Sequence, residues 1–215
     1  MTTTQPARRA EKNKNDKYHR ILDAAYELFV ERGDTNLPIS EIAERAGVAK
    51  GTFYLYFRDK KTLKEALIAE KSNQFFRKAM QALRATDIVP FEEQVIFVVN
   101  YLINELTDNL AALKLITKNL SFGMFNQKLQ GYVEDNQSDI LQALLVAARK
   151  SGVRLHHPRI LLFMIIELTS STCFSCILES KPLNIDEFKP FLFATIRQMI
   201  QNATAAEFEI EEILL

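Results

Sequence analysis

Apolar residues recur at three- and four-residue spacing along most of this chain. Over residues 16–32 the stripe is Ile21, Leu22, Ala25, Leu28 and Phe29, the pattern of a helix with one buried face. Gly33 follows as a stop that carries no Cβ penalty. Residues 39–46 repeat the pattern in short form through Ile39, Ile42, Ala43 and Ala46. Gly47-Val48 then turns the chain, and a second short helix is predicted over 50–57. Asp59 is a natural N-cap for a long helix over 60–85 carrying Leu63, Leu67, Phe75, Met80 and Leu83.

Pro90 suits a first helical turn, so the next helix is expected over 91–109 and a shorter one over 111–120. Ser121-Phe122-Gly123 breaks the pattern. A helix over 126–151 should end at Gly152, after Arg149 and Lys150, whose charge suits a C-terminal turn. Two last long helices, 156–180 and 185–205, are separated by Lys181-Pro182-Leu183. Residues 1–15 are polar and charged without a period and read as a disordered basic arm. Residues 207–215 alternate acidic and apolar side chains and read as a tail. Nine helices and no convincing strand predict an all-α fold.

Composition sharpens this. The 215 residues include only six Gly and six Pro, too few breakers for a turn-rich β-sandwich or barrel. With 47% hydrophobic and 25% charged residues, a disordered chain is excluded. Lys plus Arg and Asp plus Glu balance at 27 each, yet residues 1–64 hold 13 basic against 9 acidic groups. A basic front on an acidic remainder suggests that one end meets an anionic partner. The opening residues lack the apolar stretch of a secretory signal. The most apolar region, 160–178, is interrupted by Glu167 and the hydroxyl run Thr169 to Thr172, which favours a buried helix over a membrane span. Both cysteines, Cys173 and Cys176, lie in that region and indicate a reducing compartment. No membrane partner and a cytoplasmic location are expected.

Residues 39–57 carry the functional signal. Two helices of about two turns, joined by a turn containing Gly47, fit the helix-turn-helix pattern. Ala43 and Gly47 are small where the helices must nearly touch, and Ile42, Val48 and Phe53 are apolar where they face the first helix. Lys50, Gly51, Thr52, Tyr54 and Tyr56 remain to point outward. Gly51 allows close approach to a DNA backbone, and Thr52 can meet a base edge or a thymine methyl. Lys50 and Lys60 can neutralise phosphates, while Tyr54 and Tyr56 can hydrogen-bond to them. An ordinary helical corner is a weaker reading, because a glycine inside an exposed helix costs about 1 kcal/mol relative to alanine.

The run Ile42-Ala43-x-x-Ala46-Gly47-Val48-x-Lys50-Gly51-Thr52-x-Tyr54-x-Tyr56-Phe57-x-x-Lys60-x-x-Leu63 resembles the signature of the TetR/AcrR family of bacterial transcriptional regulators. With Ile21-Leu22-x-Ala24-Ala25-x-x-Leu28-Phe29-x-x-x-Gly33, the resemblance covers about residues 17–64. It implies a three-helix DNA-binding domain over 16–64 with 50–56 as recognition helix. It further implies a linking fourth helix and a ligand-binding and dimerisation domain over 65–206. Such proteins are usually repressors whose ligand pulls two DNA-reading heads out of register. The chain departs from the pattern at Ala49, where a Ser or Thr often caps the recognition helix. It departs again at Pro38, where Thr is common and Ser40 is a possible substitute.

One short helix buries too little surface to be specific, so a homodimer on a palindromic double-stranded operator is expected. The last two long helices supply candidate pairing faces: Leu162, Ile166, Thr169, Cys173 and Ile177 on one, Phe188, Leu192, Ile196 and Met199 on the other. A small-molecule effector, apolar or aromatic, is expected among the aromatic residues of the second domain. The candidates are Phe97, Asn100, Tyr101, Asn104, Phe122, Phe125, Phe163 and Phe174. No cofactor and no metal site are expected, since neighbouring His156 and His157 point about 100° apart on a helix. The competing readings are an activator, a redox-responsive regulator using Cys173 and Cys176, and a helical enzyme or scaffold. The enzyme reading lacks converging nucleophile, base and oxyanion donors.

Overall fold

The computed structural model describes residues 5–33, 36–116 and 140–205, with side chains from residue 14 onward. Among these residues there are nine helices and no strand: α1 (Gln5–Arg32), α2 (Ile39–Arg45), α3 (Lys50–Tyr56), α4 (Lys60–Arg84), α5 (Phe91–Asp108), α6 (Leu110–Ile116), α7 (Ile140–Lys150), α8 (Pro158–Glu179) and α9 (Ile185–Thr204). The predicted boundaries differ by one or two residues at most ends. The exception within the described chain is α1, which begins at Gln5 although residues 5–15 were expected as a disordered arm. Ala7, Ala10, Glu11, Lys12 and Lys14 are good helix formers, so an existing helix propagates there without an apolar stripe to announce it. The expected helix over 126–151 is described only as α7, and residues 117–139 and the 207–215 tail lie outside the described residues.

The chain divides into two compact units, residues 1–70 and 71–215. In the first, α1 lays Ile21, Leu22, Ala25, Leu28 and Phe29 into a core completed by Ile42, Ala43, Phe53, Phe57 and Leu63. Tyr18 closes its edge by stacking on Phe57 with ring centroids 5.1 Å apart. Polar ties orient α2 on α1: Arg45 donates to both Glu31 oxygens at 2.7 and 2.9 Å. Arg32 pairs with Glu41 at 2.7 Å. The Arg45 guanidinium holds the Glu31 carboxyl below its ordinary value.

In the second unit, α5, α7, α8 and α9 share a core that includes Ile103, Leu144, Leu162, Ile166, Cys173, Leu192 and Ile196. Arg197 on α9 grips Glu93 near the start of α5 at 3.0 Å, and Lys189 reaches Asn104 near its end at 2.8 Å. Those two ties run α5 antiparallel to α9. Helix α9 also doubles back on α8, where the His156 amide donates to the Ala203 carbonyl at 2.7 Å, so α5 and α8 run the same way. Asn184 caps α9 by accepting from the amides of Asp186 and Glu187. Helix α8 is long and apolar enough to cross a membrane by length and composition. Its Leu161, Leu162, Ile165, Ile166, Cys173 and Cys176 are instead buried in the protein core.

Candidate functional site

The turn between α2 and α3 is built on Gly47, whose φ of +62° is a left-handed conformation that favours glycine. Arg20 Nη2 donates to the Gly47 carbonyl at 3.2 Å and fixes that turn to α1. Ala49 leads into α3 with extended backbone and no side-chain cap. Phe53 and Phe57 point inward with 0% and 1% exposure. They leave the opposite face of α3 to Lys50, Gly51, Tyr54 and Leu55, all exposed. Ser40 and Lys60 are exposed as well, whereas Thr52 and Tyr56 are half-buried. The Tyr56 ring lies 6.4 Å from that of Tyr18. Lys60 Nζ donates to Asn36 Oδ1 at 2.8 Å.

Two features of this face stand out. A Cβ built on Gly51 would meet nothing within 4 Å, so among the described residues no contact requires a glycine there. Leu55 is 78% exposed, the most open of the large apolar side chains among the described residues. Sequence reading passed over Leu55, although it stands four residues after Gly51 and therefore on the same helical face. An exposed leucine beside Tyr54 suits apolar contact with a thymine methyl. Just beyond α3, Asp59 caps α4 by accepting from the Thr62 amide and hydroxyl at 2.7 and 2.9 Å. The Thr62 amide and hydroxyl, followed by Arg58, lower the Asp59 pKa to about 2.

The second unit holds a cavity of about 140 Å³. Its wall is drawn from α4 to α8 and includes Phe75, Phe76, Val99, Ile103, Leu162 and Ile166. The polar members are Ser72, Gln94, Thr169 and Ser170, with Cys173 beside them. The effector candidates among the described residues are not part of that wall. On α5 the described wall uses Gln94, Val95, Val98, Val99, Leu102, Ile103 and Leu106, one helical position away from Phe97, Asn100, Tyr101 and Asn104. Phe97 and Tyr101 stack on each other at 6.5 Å, and Asn104 accepts from Lys189. Phe163 is exposed and Phe174 half-buried, neither in the described wall, while Phe122 and Phe125 fall outside the described residues.

The pairing candidates also need correction. Leu162, Ile166, Cys173, Leu192 and Ile196 are buried within the chain's own core, and Ile177, Phe188 and Met199 pack against that core. Thr169 lines the cavity. The outward apolar side chains are Ile160, Phe163 and Met164 on α8 and Phe191 on α9, between 44% and 63% exposed. Because α8 is apolar nearly all round, spacing alone cannot tell its inner face from its outer one. Burial, reinforced by Cys176, pushes the Cys173 thiol up to about 12, and burial raises the Cys176 thiol too. Among the described residues no group of three or more His, Cys, Asp or Glu is placed to hold a metal ion.

A glycine-turned pair of short helices, the second offering a cationic, hydroxyl-bearing and sterically open face, defines a helix-turn-helix DNA-binding protein. Residues 21–67 match the family described as bacterial regulatory proteins, tetR family. The fatty acid metabolism regulator protein of Bacillus subtilis is 29% identical over 165 residues, 75% of this chain and 85% of that protein. Among solved structures, the fatty acid degradation regulator FadR from Bacillus halodurans is 25% identical, covers 88% of this chain and 95% of its own, and superposes with a TM-score of 0.52. FadR from Bacillus subtilis in complex with stearoyl-CoA covers 83% and 97% at 22% identity and a TM-score of 0.56, a likeness of fold. The chain thus resembles TetR-family transcriptional regulators in sequence over residues 21–67 and in fold over most of its length.

Proposed function

We propose that the chain is a cytoplasmic homodimeric repressor that reads a palindromic operator with α3 and is released by a fatty-acyl ligand held in the second unit. The observation carrying the DNA side is the face of α3, where Lys50, Gly51, Tyr54 and Leu55 are exposed together. A glycine that no internal contact requires, on a helix whose stability it lowers, fits close approach to an outside partner. Lys50 and Lys60 would meet phosphates, Ser40, Tyr54 and Tyr56 would donate to phosphate oxygens, and Thr52 and Leu55 would read bases.

Pairing through α8 and α9 is supported by Ile160, Phe163, Met164 and Phe191, an unusual number of large exposed apolar side chains on two neighbouring helices. An isologous contact of those faces would set two recognition helices on one operator. The acyl reading rests on the nearly all-hydrocarbon wall of the cavity and on the relative that regulates fatty acid metabolism. A cavity of this size holds about a six-carbon ring, so a long acyl chain would fill it only by parting the helices around it. Helix α4 contributes Phe75, Phe76, Met80 and Leu83 to the wall and follows α3 after a three-residue link. Displacement of that wall would be carried along α4 toward α3. The raised Cys173 and Cys176 thiols weigh against redox control, since the thiolate is the reactive form.

A gel shift with the DNA upstream of its own gene tests the reading. The expected result is a salt-sensitive complex containing two chains, dissolved by stearoyl-CoA and left intact by free coenzyme A. A complex with one chain, or one indifferent to the acyl group, overturns it.

A further inference from the structure

Hydroxyl side chains inside helices ordinarily donate back to a carbonyl about one turn earlier. On α8, Ser170 Oγ donates to the Glu167 carbonyl at 3.3 Å, and Thr172 Oγ1 donates to the Leu168 carbonyl at 2.6 Å. Thr169, on the same helix, does not. Its Oγ1 is shielded from solvent and has no hydrogen-bond partner among the described residues. Buried polar groups are paired in the great majority of cases, and an unpaired one calls for a reason. Thr169 is also part of the cavity wall.

The α8 side of that wall changes character along its length. Leu162, Ile165 and Ile166 present hydrocarbon, and the next turns present Thr169, Ser170 and Cys173. The α5 side facing the same space stays apolar from Val95 to Leu106. A ligand that were hydrocarbon throughout would leave the Thr169 hydroxyl as orphaned as it stands now. One bearing an oxygen at that level would satisfy it.

We infer that Thr169 is a specificity-determining residue of the effector site, donating a hydrogen bond from Oγ1 to an acceptor oxygen on an otherwise apolar ligand. The inference rests on the ligand-binding reading above and narrows its chemistry. The effector class is an oxygenated hydrocarbon, with a carbonyl, ether or hydroxyl oxygen seated beside Thr169 and its carbon body against Phe75, Phe76 and Ile103. Selectivity against a plain hydrocarbon then comes from a polar group that only the right ligand pairs.

Calorimetric titration of the full chain with cyclohexanone and with cyclohexane tests this, since the rings differ by one acceptor oxygen and suit the cavity. Thr169→Val keeps the shape and removes the hydroxyl. It should weaken cyclohexanone about tenfold and leave cyclohexane equal or tighter. Thr169→Ser keeps a hydroxyl and should restore the ketone. The assignment is overturned if Thr169→Val affects both rings alike, if Thr169→Ser fails to restore the ketone, or if the wild type takes cyclohexane and refuses cyclohexanone. Binding of neither ring overturns it together with the cavity as a ligand site. Operator retention on the same samples reports on the DNA-binding proposal separately.

Discussion

Asp59 Oδ1 accepts from both the backbone amide and the hydroxyl of Thr62, at 2.7 and 2.9 Å, and so fixes the first turn of α4 immediately after α3. Those bonds favour the carboxylate and hold its pKa down to about 2 in the folded chain. A depressed folded value means that the stabilisation is fully present above the ordinary carboxylate range and is lost as pH falls from about 4 toward 2. Thr62 is half-buried and the capped turn leads directly from α3, so loss of the cap should loosen the DNA-reading unit.

Thermal melts of the wild type and Asp59→Ala across pH should therefore converge in acid. The variant should melt lower at pH 7 and match the wild type near pH 2. A constant gap down to pH 2 would assign the loss to something other than the ionised cap.

Lys50 and Lys60 differ in what holds them. Lys60 Nζ is engaged by Asn36 Oδ1, whereas Lys50 is exposed at the start of α3. If Lys50 meets a phosphate in each of two subunits, Lys50→Ala should flatten the slope of log K against log salt by about 1.8, at about 0.9 per phosphate. The slope for Asn36→Ala should stay at the wild-type value, because the lysine charge is kept. Fluorescence anisotropy over a salt series measures both.

Gly51→Ala should act with opposite signs on stability and binding. The added methyl meets nothing within 4 Å in the free chain, and alanine is the better helix former by up to about 1 kcal/mol. The variant should melt at or above the wild-type temperature and bind operator more weakly. A melt clearly below wild type would reveal a role for the glycine inside the protein.

Filling the cavity should separate sensing from DNA binding. Val98 is half-buried in the wall, so Val98→Phe places a ring in space an effector would need, at a cost of about 1–3 kcal/mol from overpacking. Operator binding should survive and release by stearoyl-CoA should fail. Retained release would move the effector site away from this cavity.

How much of this was legible in the string depends on what kind of order is being read. Helix ends marked by local chemistry, such as Gly33, Gly47, Asp59 and Pro90, fall where their conformational preferences put them. The inward turn of Phe53 and Phe57 follows from spacing, because α3 has one apolar stripe and only one way to bury it. The second unit offers no such constraint. Helix α5 is apolar on neighbouring faces, and a difference of one residue rotates the prediction by 100°, from Val99 and Ile103 to Asn100 and Asn104. On α8 almost every direction is apolar, so which face meets the core, the cavity or the outside is decided by α5, α7 and α9. Thr169, read as part of a pairing face, is the clearest casualty, and its lack of a partner is visible only once its neighbours are in place.

The bare flank at residue 51 carries a warning for anyone evolving this molecule. Selecting colonies or libraries for heat tolerance alone would reward a side chain there, since the isolated polypeptide gains order and loses nothing. If the proposed operator contact holds, the survivors would be sturdier and deaf to their promoter, because a melting curve contains no partner to fill that vacancy.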